Sequence, residues 1–396
     1  MLRFLTAGES HGPSLSVIVE GLPSGLAITE GQIGDELSRR RLGYGRGPRM
    51  RFERDELRLI GGIRHGRTLG SPVAIEILNS EWPKWEQEMS AAPGTPSNKL
   101  TKPRPGHADL AGMQKYAFDD ARDVLERASA RETAARVVAG ALAKALLANI
   151  GVDVLSHVVR IGQVAAPMNL RPGPGERDVV DENEVRCFDP ETATRMITEI
   201  KAAAKEGDSL GGIVEVIAYG VPVGLGSYVH WDRKLDGLIA GALMSIQAVK
   251  AVEIGDGMVQ ASQRGSVAHD AIALEETFTQ GGGYIRKSDH AGGLEGGMTS
   301  GAPVIAKVAM KPLATLNRPV LETVDVATGE SAVSFKERTD VTAVPALGVV
   351  TEAMLSLVLA GEALRKFGGD SLEEFVRNHA SYVAHLGSTS SHARSD

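Results

Sequence analysis

Apolar residues in this chain recur at every second position in some stretches and at helical spacing in others. The two patterns keep exchanging from near the start to about residue 364. That alternation constrains the fold more than any other feature. Half-buried strands and amphipathic helices that take turns along one chain must pack as layers around a shared core. No composition break marks a linker, so one α/β (α+β) unit is expected over residues 1–380 rather than two separable domains. The closing residues 381–396, SYVAHLGSTSSHARSD, are low in apolar side chains and are expected to fray.

Individual elements follow from local signals. Residues 14–20 (SLSVIVE) and 72–78 (PVAIEIL) read as strands. Between them, Thr29 and Gln32 have the spacing of a capping box that opens a helix to about Arg41, with Gly43 ending it. Ser129 and Glu132 have the same spacing ahead of a helix to about Ala148. Strands are expected over 154–161, 212–219 and 305–310, and helices over 235–251 and 347–364. The polar, Pro-rich segment 79–105 should be mostly loop. A loop of that length is usually functional or mobile.

Composition excludes several classes. Gly is abundant, 46 of 396 residues, and aromatics make up only 4%. Tight turns are therefore expected, and base-stacking surfaces are not. A single cysteine, Cys187, rules out an intrachain disulfide and multi-cysteine metal sites, and fits a reducing compartment. The net charge of −7 disfavours nucleic acid or membrane as a whole-surface partner. There is no secretory pattern at the start and no uncharged run of 18 residues, so a cytoplasmic protein is expected.

Against that acidic background several constellations suit an anionic substrate. His11 lies in Gly8-Glu-Ser-His-Gly12, just before a strand, and His107 follows the Pro105-Gly106 turn with Asp109 two residues on. Either imidazole could move a proton near neutral pH, or be an ordinary loop histidine. Seven arginines fall within 39–54, interleaved with glycine from 43 onward. Guanidinium forks bind phosphate and carboxylate bidentately; the plain alternative is a solvated basic face or a subunit contact. The turn at 126–136 places Arg127 and Arg131 beside a helix start, where free N–H groups favour anions. The Gly-rich 291–301 lacks the lysine of a P-loop and the spacing of a dinucleotide fingerprint. Asp340 beside Arg338 reads by default as a structural ion pair. No H-E-x-x-H or acidic cluster supports metal catalysis. The residues alone describe an enzyme for a small polyanion. A phosphomonoesterase would use the same groups, and the arginine run also admits an RNA-binding protein.

Nine motifs occur together and in order: GESHG at 8–12, RRRLGYGRGPRM at 39–50, EWPKW at 81–85, RPGHAD at 104–109, ERASARETAARV at 126–137, GDSLGG at 207–212, SIQAVKAVEIGDG at 245–257, AGGLEGGMTSG at 291–301 and RTDV at 338–341. In this register the chain resembles the chorismate synthases from about residue 3 to about 372. The resemblance implies a β-α-β-α sandwich and a homotetramer. It implies anti-1,4-elimination of phosphate from 5-enolpyruvylshikimate 3-phosphate, with reduced FMN and no net redox change. An external flavin reductant is expected, with NADPH at most an indirect one, because no dinucleotide fingerprint is visible.

The same resemblance assigns roles. His11 is the acid near the departing phosphate, His107 protonates or hydrogen-bonds the reduced flavin, and Asp340 helps take up the proton through the flavin N5. Arg40 and Arg46 lie on the substrate side, with Arg49 and Arg131 as helpers. Arg127, Ser129, Gln247, Ala248, Gly296, the run Lys311, Pro312, Leu313, Ala314 and Thr315, and Arg338 contact the flavin. The chain departs from the family pattern at Thr339 and at Asp289, the latter adding a negative charge near the implied ligand. Clustered arginines repel one another without ligand, so 40–54 and 79–105 are expected to order on binding.

Overall fold

The computed structural model describes residues 2–46, 55–274, 282–318, 320–334 and 340–392. Four strands, Arg3–Ala7, Ser14–Glu20, Val73–Leu78 and Glu56–Gly61, form one sheet in that spatial order. A second sheet runs Val249–Ile254, Val304–Met310, Gly212–Tyr219, Asp153–Ile161 and Val164–Ala165. Every pairing in both sheets is antiparallel, so the arrangement is α+β. Alternation in sequence thus did not mean parallel βαβ crossovers.

Period-two burial explains the first sheet. Leu15, Val17, Val19, Val73, Ile75 and Ile77 are all buried on one face. Helix Thr133–Ala148 covers that face through strand 14–20 and packs against helix Val344–Phe367. The 344–367 helix in turn lies on strands 153–161 and 212–219 of the second sheet. It is long and apolar enough to cross a membrane, yet 89% of its most apolar window is buried inside this core.

The two central helices touch at Gly140. A Cβ there would stand 2.3 Å from Ala353 Cβ and 2.5 Å from its Cα. Gly140→Ala is therefore expected to destabilise by about 1–3 kcal/mol through overpacking, despite alanine's better helix propensity. The urea midpoint of the variant checks this; a midpoint at or above wild type would contradict it.

Several elements match the sequence reading and several do not. Helix Glu30–Arg41 has its full capping box: Gln32 N–H donates to the Thr29 hydroxyl at 3.2 Å, and Thr29 N–H to Gln32 Oε1 at 2.9 Å. The box at Ser129 does not form. Ser129 Oγ accepts from Arg131 N–H at 3.3 Å, a 3-10 turn spans Ala130–Glu132, and the α-helix starts at Thr133. The Glu132 carboxylate is drawn away to Thr6, Arg136 and Gln247. The helix expected over 235–251 stops at Met244, because Val249–Ile254 pairs with strand 304–310. Segment 79–105 is irregular apart from one turn, Trp82–Trp85.

Helix Leu372–His392 extends into the segment expected to fray. Its anchor is aromatic: Phe367 lies 6.1 Å from Phe375 and 5.7 Å from Tyr382. Leu372 and Val376 pack against the same core.

Candidate active site

His11 is held at its backbone and at Nδ1. Its loop joins the first two strands, and Asn79 Nδ2 donates to the carbonyls of Ser10 at 2.9 Å and Gly12 at 3.0 Å. His11 Nδ1 lies 2.9 and 3.0 Å from the two oxygens of Glu126, in helix Arg122–Ala128. The Trp85 ring lies 4.1 Å from the imidazole, and the Arg122 guanidinium 5.0 Å from Trp85 on the same helix as Glu126. Glu126 is buried, which pushes its pKa up. Hydrogen bonds from His11 and the charge of Arg122 outweigh burial and leave the carboxyl below its usual range.

His107 has a similar setting. Gly106 takes φ 78°, a backbone state that suits glycine, and the turn brings the ring onto Asp109. Asp109 is fully buried at the start of helix Asp109–Tyr116. Arg104 donates to it from Nε at 2.8 Å, Nη2 at 3.1 Å and its backbone N–H at 3.0 Å. Burial raises the Asp109 pKa, but His107 and Arg104 pull it far below the ordinary carboxyl value. The 109–116 helix packs on the 122–128 helix through Met113, Ala121 and Leu125. Both imidazoles are therefore anchored to one helical hairpin.

The 311–315 run reaches the His107 turn. Lys311 Nζ donates to the Gly106 carbonyl, and Arg104 Nη1 to Thr315 Oγ1 at 3.1 Å. An alanine-like Cβ on Gly106 would lie 3.8 Å from Ala314. Leu313 accepts from Ser209 Oγ at 2.8 Å, next to Pro312. Lys311 N–H donates to Ala248, whose φ of 65° turns the chain so that Gln247 faces Glu132. Arg127 donates to the carbonyls of Thr6 at 2.9 Å and Gly8 at 3.1 Å. Arg127, Glu132, Arg136, Ser245 and Gln247 line one cleft of about 370 Å³, and Gln247 Oε1 is buried there without a hydrogen-bond partner among the described residues.

The arginine run divides. Arg39 turns inward to Glu36, Asp181 and Glu352 and belongs to the core. Arg40 is buried and donates to Thr133 Oγ1 at 2.9 Å and the Ala130 carbonyl at 3.0 Å, beside Ser129 and Arg131. Arg131 pairs with Asp55 at 2.6 Å. Arg46 pairs with Asp340 at 3.1 Å. Arg49, Arg338 and Thr339 lie outside the described residues. Gly296 lies in the hairpin of Leu294–Glu295 with Met298–Thr299, which packs on Tyr228 and Leu235. Asp289 faces Arg171 at 3.9 Å in the second sheet's periphery, and burial pushes its carboxyl up.

A sequence model of chorismate synthase matches residues 2–364 of this chain. The chain belongs to the chorismate synthase family. It is 59% identical over 392 residues to the chorismate synthase of Salinispora tropica, covering 97% of this chain and 98% of that one. It is 57% identical over 396 residues to the enzyme of Thermobifida fusca, with 98% and 99% covered. A solved structure titled as the crystal structure of chorismate synthase superposes with a TM-score of 0.79 at 40% identity, with 98% of each chain covered. Membership makes the chain a lyase of the shikimate pathway and does not favour the phosphomonoesterase or RNA-binding alternatives.

Among chorismate synthase motifs read from the sequence, EWPKW carried no role until Trp85 came to lie against His11. Glu126 and Arg122 were likewise unassigned. Glu126 is 115 positions from His11, and no local spacing joins them.

Proposed function

We propose that this chorismate synthase chain eliminates phosphate from C3 and a hydrogen from C6 of 5-enolpyruvylshikimate 3-phosphate, yielding chorismate, with reduced FMN bound. The observation that carries this reading is the pair of imidazoles on one helical hairpin, each with a buried carboxylate at Nδ1, beside arginines. An anionic substrate and a leaving phosphate need that combination of positive charge and proton donors.

The flavin fits the residues present. Gln247 Oε1, buried without a partner among the described residues in a cleft that also holds Arg127, suits a ring that offers both N–H and carbonyl groups. Arg127, Ser129, Gln247, Ala248, Gly296, Lys311 to Thr315 and Arg338 hold it in this reading. Reduced FMN supplies electron density that eases departure of phosphate and is recovered afterwards. His11, as the imidazolium, gives the departing phosphate a proton from Nε2 and keeps the one on Nδ1. His107 holds a proton at Nε2 on the flavin side. Asp340 receives the proton lost from the ring, and Arg46 beside it, with Arg40, Arg49 and Arg131, orients substrate carboxylates and phosphate.

The rest of the reading is a β-α-β-α layering, a homotetramer, cytoplasmic placement and an external flavin reductant, with NADPH acting only indirectly. Exposed Leu5, Ile18, Tyr228, Val229 and Trp231 support subunit contact. An anaerobic assay with substrate and chemically reduced FMN tests the function. The ultraviolet absorbance of the diene product should appear only when the flavin is reduced. Phosphate release without flavin, and without that absorbance, would overturn it.

A further inference from the structure

We propose that Glu126 is the positioning residue for His11: its carboxylate holds a proton on Nδ1 and fixes the imidazole in one orientation, so that Nε2 faces the substrate and carries the transferable proton when the ring is the imidazolium. This rests on the role proposed above for His11.

Glu126 grips both parts of the residue. Its Oε2 accepts the His11 backbone N–H at 2.9 Å, and both oxygens reach Nδ1. Its backbone carbonyl accepts Ser10 N–H at 3.0 Å. The loop and the ring are thus docked to one side chain that is 1% exposed. An ionised carboxylate only accepts hydrogen bonds, so a neutral imidazole against it carries its proton on Nδ1. Arg122 donates to Glu126 Oε1 at 3.0 Å and keeps that carboxylate charged. Trp85 closes one side of the ring, which leaves rotation about χ2 little room.

Among the described residues, the charged groups nearest this ring are Glu126, Arg122 and Arg127 from the 122–128 helix, Glu9 from the ring's own loop, and Glu88, 3.8 Å from Arg122, from the 79–105 segment. Among the described residues His11 Nε2 has no protein partner. His107 has a related setting, with Asp109 at Nδ1, but there Arg104 Nη2 lies 3.1 Å from the same ring nitrogen as well as on Asp109. A neutral imidazole free in water favours the proton on Nε2, so at His11 the protein selects the less common form.

Long-range proton–nitrogen spectra of the full chain with 15N-labelled histidine read the tautomer directly. Neutral His11 should carry its proton on Nδ1 in wild type. In Glu126→Ala it should move to Nε2, and kcat should fall at least about ten-fold with KM within about two-fold. Glu126→Asp keeps an acceptor-only group, so it should retain the Nδ1 proton and recover part of the rate, and it serves if the alanine variant does not fold. A wild-type proton on Nε2 overturns the proposal without any variant. Wild-type kcat in Glu126→Ala, with His11→Ala slow, overturns it alone. Wild-type kcat in His11→Ala removes the His11 role and this proposal with it.

Discussion

Replacing His107 with alanine should lower kcat by about 10²–10⁴-fold, the usual worth of a positioned acid–base group, while the fold survives. The second half of that expectation comes from the neighbours. Truncating a side chain beside a buried carboxylate normally strands the charge. Here Asp109 keeps Nε, Nη2 and the backbone N–H of Arg104, so it stays ionised and paired. The imidazole itself is partly exposed and contributes little to the core. Lys311 still donates to Gly106, so the turn should hold its shape. The measurement pairs the anaerobic assay with a thermal melt. A large rate loss beside a nearly unchanged melt is expected; wild-type turnover would remove His107 from the chemistry. A collapsed melt would show that the imidazole supports structure instead.

The contrast between legible and hidden features follows the range of the interactions. The Thr29–Gln32 box was readable because donor and acceptor are three residues apart and nothing else competes for them. The Ser129–Glu132 box has the same letters and fails. Glu132 found Thr6, 126 positions away, and Gln247, 115 positions away, and a carboxylate with three donors has no reason to fold back on its own N-cap. The expected helix 235–251 ran into the first residues of strand 249–254, whose apolar content suits either form, and the edge of strand 304–310 decided the matter. The histidines stood out in sequence by their glycine-flanked loops, whereas Glu126 did not, because only the fold brings it to His11. Arg39 shows the opposite error. In sequence it is the first of a ligand-like run, and in the fold it is the cation of a carboxylate 313 positions later.

That carboxylate sets the second large expectation: Glu352→Gln should destabilise the chain by about 3–5 kcal/mol near neutral pH. Glu352 is fully buried in the middle of the 344–367 helix. Arg39 holds it bidentately at 2.7 and 3.0 Å, Lys144 at 2.6 Å, Arg186 at 3.0 Å and the Ser156 hydroxyl at 2.7 Å. Glu36 and Asp181 join them, so three carboxylates face the three inner cations, and half-exposed Arg177 lies 3.6 Å from Glu36 at the rim. Glutamine keeps the shape and leaves three cations with two anions in a dry core. Arg186 cannot escape by deprotonating: burial pulls its pKa down, but arginine starts too far above neutrality. The cluster ties the 30–41 helix to the 133–148 and 344–367 helices, and Arg40 leaves that same helix toward Ala130 and Thr133. Loosening it should therefore also raise KM for an anionic substrate. The pH dependence has a definite sign. Burial pushes the Glu352 pKa up, and Arg39, Lys144 and Arg186 more than reverse that, so it lies well below its unfolded value of about 4.3. A carboxyl depressed in the folded state contributes its full stability above the unfolded value and loses it as pH falls toward the folded one. The stability gap between wild type and Glu352→Gln should be widest at pH 7 and shrink below about pH 4. Urea midpoints for both proteins across that range check it. A gap that is absent at pH 7, or that grows as acid is added, would mean that the cluster does not hold the core as its geometry indicates.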